Sequence, residues 1–213
     1  MKTGLAFLAV ALFVFVGVPA SANSLNVNAA AALSGSVGTA CGGSPCGLEV
    51  VLTDTNSAYV QSDHPNQEPF VNLAFQIDPN DVMLPERGNG TPGRFRVLKA
   101  YREQGNNPRQ HLFVTLKRNI ANTGYRLAIL QRDDTPLFNF VGEFFLGNND
   151  NLIEITWDRA NETVTVFRNG TQRATASITM DTWNIDRVRM GAIDEIDAGV
   201  SGSIYMDEYS STR

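Results

Sequence analysis

Two histidines, His64 and His111, are the only imidazoles in the chain. His64 stands in Ser62-Asp63-His64-Pro65-Asn66, where a hydroxyl, a carboxylate and an imidazole lie close together. Those groups could assist a nucleophile. The stretch reads instead as a polar, proline-containing turn, and no serine has a Gly-x-Ser-x-Gly setting. His111 opens an apolar run after Asn107-Pro108-Arg109-Gln110, so structural or solvated roles are expected for both. Sugar recognition needs an aromatic ring to lie on the apolar face of a pyranose, with amides or guanidinium groups beside it for the hydroxyls. Tyr101, Arg102, Gln104, Asn106, Asn107 and Arg109 form one such neighbourhood, and Trp183 with Asn184 forms another. The competing reading has Tyr101 capping a strand and Trp183 filling one end of a core. Cys41 and Cys46 flank Gly-Gly-Ser-Pro, and in an exported chain that spacing points to one local disulfide. Zinc would need further ligands, for which only the two histidines are available.

The elements that must hold these groups read as strands. From Gly47 onward, short runs of β-branched and aromatic residues alternate with clusters of Gly, Pro, Asn and Asp, and no long stretch shows the three-four spacing of a helix. Ile153, Ile155 and Trp157 alternate with Glu154, Thr156 and Asp158, which gives one buried and one wet face. Asn169-Gly170 lies between Thr163–Phe167 and Gln172–Thr179 and suits a tight type I′ hairpin turn. A turn through Arg159-Ala160-Asn161 joins the preceding strand to that hairpin and makes a three-strand meander. Phe138 and Phe140 share one strand face as core candidates, whereas the adjacent Phe144 and Phe145 must point to opposite faces, leaving one free for a partner. Parallel crossovers would need helices. The expected fold class is therefore all-β, two antiparallel sheets packed face to face.

The ends and the composition set the frame. Lys2 precedes an apolar stretch from Leu5 to Val18 that closes on Pro19-Ala20-Ser21-Ala22, the pattern of a secretory signal. The apolar run is shorter than the roughly 20 residues that cross a bilayer. The expected organisation is a signal peptide at 1–22, a small polar segment with the cysteine pair at 23–46, and one sandwich domain at 47–213. The expected location is extracellular or periplasmic, with no membrane span after cleavage and a bacterial signal type. A net charge of −5 and the lack of a basic tract make nucleic acid and anionic membranes poor partners.

Three segments carry a family resemblance. Leu152–Asp158, Thr163–Gly170 and Gly202–Tyr209, in that order, resemble the concanavalin-A-like and laminin-G-like jelly rolls of secreted bacterial proteins. An uncharacterised branch is suggested by Gly47-Leu48-Glu49-Val50, by Ile77-Asp78-Pro79-Asn80 and by Val188-Arg189-Met190-Gly191-Ala192. The resemblance implies a jelly-roll β-sandwich. It also prompts a comparison with the glucanases of that superfamily, whose carboxylates reach the substrate from alternate strand positions. Glu195-Ile196-Asp197 matches the first half of their Glu-x-Asp-x-x-Glu pattern, but the proton-donating glutamate is replaced by Val200. Asp207 resembles an aspartate that helps to hold structural calcium in relatives of this fold, a cation that takes mixed oxygen ligands. The resulting expectation is a non-enzymatic binding module for a glycan or cell-surface component, with Tyr101, Arg102, Asn106, Asn107, Arg109 and Trp183 as contact residues. The alternatives are an adhesive protein that binds another protein and a degenerate glycoside hydrolase.

Overall fold

A computed structural model describes residues 36–40, 47–80, 82–87, 90–102, 109–118, 124–135 and 137–212. Among them there is no α-helix, and fifteen strands carry the fold. They are β1 (Ser36–Ala40), β2 (Gly47–Leu52), β3 (Ala58–Glu68), β4 (Phe70–Asp78), β5 (Glu86–Arg87), β6 (Thr91–Pro92), β7 (Arg94–Arg102) and β8 (Arg109–Arg118). There follow β9 (Tyr125–Arg132), β10 (Phe138–Leu146), β11 (Asn151–Asp158), β12 (Thr163–Arg168), β13 (Thr171–Ser177), β14 (Ile185–Asp194) and β15 (Gly202–Thr212). One sheet has seven strands in the order β1-β2-β15-β4-β11-β12-β13, the other six in the order β10-β9-β8-β7-β14-β3, and β5-β6 is a small separate hairpin. All pairings are antiparallel, and the architecture is a jelly-roll β-sandwich.

The alternation expected for β11 is present: Ile153, Ile155 and Trp157 point inward and Glu154, Thr156 and Asp158 outward. The same period-two pattern runs along β4, where Val71, Leu73, Phe75 and Ile77 are buried. Facing them from the six-stranded sheet are Phe95, Leu98, Leu112, Val114, Leu116, Leu127 and Ile129. The expected meander is β11-β12-β13, and its tight turn has Asn169 at φ 50° and Gly170 at φ 70°, the left-handed values that an Asn-Gly turn supplies. β1 falls inside the segment read from sequence as a polar terminus and extends the seven-stranded sheet by pairing with β2.

Two bulges break the alternation on β7 and β8. Arg96 pairs with Thr115 and Leu98 with Val114, so Val97 is an extra residue on β7. Ala100 pairs with Leu112 and Tyr101 with Gln110, so His111 is an extra residue on β8. The first bulge buries Val97 and Leu98 together and brings Arg96 and Lys99 to one face although they are three residues apart. The second turns His111 inward, where its ring lies 5.3 Å from that of Trp183 and 5.6 Å from that of Trp157. Bulges of this kind re-aim side chains, and here they decide what the outer face of the six-stranded sheet presents.

Candidate functional site

The outer face of the six-stranded sheet gathers eight cations: Arg94, Arg96, Lys99, Lys117, Arg126, Arg132, Arg187 and Arg189. Its centre is one residue row that crosses every strand. Gln61 on β3 pairs with Arg189 on β14, Arg189 with Lys99 on β7, Lys99 with Phe113 on β8, Phe113 with Leu130 on β9, and Leu130 with Phe140 on β10. Five strand spacings of about 4.8 Å make this row roughly 24 Å long. Cations and rings alternate around it. The Arg189 guanidinium lies 4.5 Å from the Tyr59 ring and 4.9 Å from the Tyr101 ring, Lys99 Nζ lies 5.7 Å from Tyr101 and 5.2 Å from Phe113, and Arg96 stacks 4.1 Å over Phe113. Phe138 continues the series, 4.7 Å from Phe113 and 4.5 Å from the Arg132 guanidinium.

Carboxylates hold most of these cations in place. Arg96 bonds Glu195 at 2.5 Å and Asp194 at 3.4 Å, Arg94 bonds Glu195 at 2.9 Å, and Lys99 donates to Asp194. Glu143 bridges Lys117 at 2.8 Å and Arg126 at 3.0 Å, and Asp63 meets Arg187 at 2.7 Å. Arg189 differs: its Nε donates to the Gln61 side-chain oxygen at 2.9 Å, and among the described residues no carboxylate pairs with it. Arg132 also has no carboxylate among them, and its Nε is buried without a hydrogen bond. A guanidinium without a carboxylate is a ready fork for one arriving on a ligand.

Burial shifts two groups here in opposite senses. Desolvation lowers the Lys99 pKa against the opposing hydrogen bond and charge of Asp194. Desolvation raises the Tyr101 phenol, which therefore keeps its proton although Arg189 pulls the other way. Tyr101 is 2% exposed and Arg189 stacks on its ring.

The structure places the sequence candidates as follows. Tyr101 belongs to the cationic face, and Arg102 and Arg109 pair at the ends of β7 and β8 beside it. Asn106, Asn107, Cys41, Cys46 and the expected signal segment lie outside the described residues. Trp183 lies between the sheets at 3% exposure, its ring on His111 and its Nε1 donating to the Asp133 carbonyl at 3.1 Å. Asp207 is on β15 in the opposite sheet, where its Oδ1 accepts the Glu208 amide at 2.7 Å. No group of three or more His, Cys, Asp or Glu gathers to hold a metal among the described residues. Glu195 and Asp197 follow β14 in a loop, with Glu195 bound to Arg94 and Arg96, and Asp197 to Arg87 at 2.5 Å and to the Arg94 amide at 2.9 Å. Arg96, Lys99, Phe113, Arg132 and Arg189 were not singled out from sequence. The adjacent apolar pair Val97-Leu98, which interrupts the alternation of Arg94, Phe95 and Arg96, is the signal that could have exposed them.

Comparison with known proteins bears on fold alone. No family model matches the chain, and no curated protein matches it in sequence. Among solved structures it is similar to the receptor-binding domain of botulinum neurotoxin type G, at 11% identity and a TM-score of 0.57, covering 89% of this chain and 42% of that one. The chain thus spans about two fifths of the toxin domain. It is also similar to an alginate lyase from Pseudomonas aeruginosa, at 9% identity and a TM-score of 0.56, covering 78% of this chain and 82% of that one. A family 7 alginate lyase in complex with substrate aligns at 10% identity and a TM-score of 0.54, over 80% and 79% of the two chains. The jelly-roll fold expected from the resemblance stands, and no family model ties the chain to the uncharacterised branch.

The expectation of a non-enzymatic binding module, with its adhesive and glucanase-like alternatives, is corrected by these structures: several neighbours of this shape are polysaccharide-degrading lyases. The physical reason is specific. The missing glutamate at Val200 removes a hydrolytic carboxylate set, and it says nothing of elimination chemistry, which needs no carboxylate pair. The neighbours comprise both enzymes and binding domains, and one fold hosts many activities.

Proposed function

We propose that the protein is a lyase that cleaves an acidic, uronate-containing polysaccharide by β-elimination on the outer face of the six-stranded sheet. The observation that carries this reading is Arg189 on the cationic face, held by Gln61, set against the Tyr59 and Tyr101 rings and paired across the sheet with Lys99. A uronate carboxylate takes the Arg189 fork, which has no carboxylate of its own among the described residues. Binding there draws the guanidinium off the Tyr101 ring and uncovers both the phenol and the Lys99 amine, which belong to residues 2% and 0% exposed. Neutralising the carboxylate acidifies the C5 proton next to it, the electrostatic part of the catalysis.

Opposite pKa shifts in one site mark acid and base roles. Lys99, which is paired with Arg189 on the neighbouring strand and whose pKa burial lowers, takes the C5 proton. The electron pair forms the C4–C5 double bond, the bond from C4 to the glycosidic oxygen breaks, and Tyr101 gives its proton to that leaving oxygen. No water, oxidant or metal enters the balance of this step. Similarity of shape to alginate lyases supports the reading without supplying it.

The test is incubation of the protein with alginate and with polygalacturonate while the ultraviolet absorbance of the new C4–C5 double bond is followed. The expected result is unsaturated product from one of them. Arg189→Ala and Tyr101→Phe should each lower kcat/KM by about a hundredfold or more. Absence of unsaturated product from every polyuronate offered would overturn the proposal.

A further inference from the structure

The cationic row ends on a group of exposed rings that elimination chemistry does not use. Five large apolar side chains are exposed among the described residues, and four of them, Leu137 (66%), Phe138 (40%), Phe140 (61%) and Phe145 (48%), lie on or next to β10. β10 is the edge strand of the six-stranded sheet. Its pairing places Phe138 opposite Arg132, Phe140 opposite Leu130, Glu143 opposite Ala128 and Phe145 opposite Arg126, so all three rings share the outer face with the cations. Contiguous exposed apolar surface marks a contact site. These rings are interleaved with Arg132 and Arg126, and Glu143 is already held by Lys117 and Arg126.

Phe140 is the terminal member of the row that contains Lys99, three strand spacings or about 14 Å away. That is farther than one hexuronate ring spans and within reach of the same extended chain. A ring offers the apolar face of a pyranose a platform, and Arg132, which no carboxylate among the described residues holds, offers the neighbouring carboxylate its guanidinium beside the Phe138 ring.

We propose that Phe140, flanked by Phe138 and Arg132, is a distal subsite that stacks a sugar two or more units from the bond cleaved, so that the enzyme favours long polyuronate chains over short ones. This rests on the polyuronate reading above. The occupant is the same polysaccharide strand, chosen because the platform lies on the same outer face as Arg189 and Lys99, joined to them through Phe113 and Leu130, and because Arg126 and Arg132 beside it match a polyanion.

The experiment compares wild type, Phe140→Ala and Phe140→Trp on polyuronate of high degree of polymerisation and on the shortest oligomer that is cleaved. Phe140 is exposed, so all three should share one melting temperature. Phe140→Ala should raise KM on the polymer about tenfold, with kcat and the short-oligomer kcat/KM unchanged, and Phe140→Trp should restore the polymer KM. Equal losses on polymer and short oligomer, or no loss on either, would overturn the subsite while leaving the lyase reading intact. Retardation of the wild type in polyuronate-containing native gels, lost in Phe140→Ala, upholds the subsite even if no cleavage occurs and the lyase reading falls. A wild type that neither cleaves nor is retarded overturns both. Self-association removed by Phe140→Ala, with gel retardation unchanged, overturns the subsite in favour of a second copy of the chain.

Discussion

His111 shows how a potentially catalytic group becomes a structural one. The extra residue on β8 turns it between Trp157 and Trp183, where its Nε2 meets the Asn184 carbonyl at 3.0 Å and its Nδ1 meets the Gln131 amide nitrogen at 3.4 Å. Donation from Nε2 and acceptance at Nδ1 describe the neutral ring. Burial, with the charges of Arg132 and Arg102, outweighs those two bonds and lowers the His111 pKa from its ordinary 6.5 to about 4. The sign follows by linkage: the unfolded chain takes up the proton first, so the stability held above pH 6.5 is lost as pH falls from 6.5 toward 4. For a fully buried group that loss approaches about 3 kcal/mol. Urea midpoints measured across that range should fall with pH in the wild type. His111→Gln should be less stable at neutral pH and flatter across the range. An unchanged slope in the variant would assign the acid sensitivity to other groups.

Elements decide which side chains share a face, and here the legibility of the sequence divides. The strands β2, β4, β11 and β12 and the Asn169-Gly170 hairpin are readable because their inward positions are apolar, their outward ones polar, and their turn residues demand one geometry. The candidate site is not readable in the same way. Its residues run from Tyr59 to Arg189 along the chain and meet only through six-strand pairing, and strict alternation would send Arg96 and Lys99 to opposite faces. Val97 restores them to one face, and no turn signal marks that bulge. His111 is the converse: the outer position expected of it is taken by Gln110, opposite Tyr101. Close approach between elements is equally hidden. A Cβ on Gly142 of β10 would stand 2.4 Å from the Ala174 Cβ of β13, so the edges of the two sheets touch where both residues are small. Gly142→Ala should therefore cost about 1–3 kcal/mol by overpacking. Ala174→Gly added to it should recover more than half of that loss in denaturant midpoints, and simple additivity of the two changes would refute the contact.

At the scale of the molecule, charge is segregated in a way that the net value of −5 conceals. One outer face holds the eight cations with four carboxylates, Asp63, Glu143, Asp194 and Glu195, paired among them, while the other carries Glu49, Glu154, Asp207 and Glu208 beside a cross-strand row of Thr156, Thr165 and Thr175. Whether a polyanion senses the net charge or the local face depends on two lengths. The sheets pack about 10 Å apart, and the Debye length is about 8 Å at an ionic strength of about 0.15 M. Under those conditions the acids of the far face are screened and the near face acts alone. At about 0.01 M the Debye length grows to about 30 Å, and the acidic face contributes repulsion. Polyuronate affinity should consequently rise less on lowering the salt than the cationic face with its four paired carboxylates would give alone. Glu154→Lys tests this, because it changes the far face without touching the row. Its affinity should match the wild type at about 0.15 M and exceed it by about twofold at about 0.01 M. A gain of equal size at both salt concentrations would place Glu154 in the ligand's path and move the binding surface to the seven-stranded sheet.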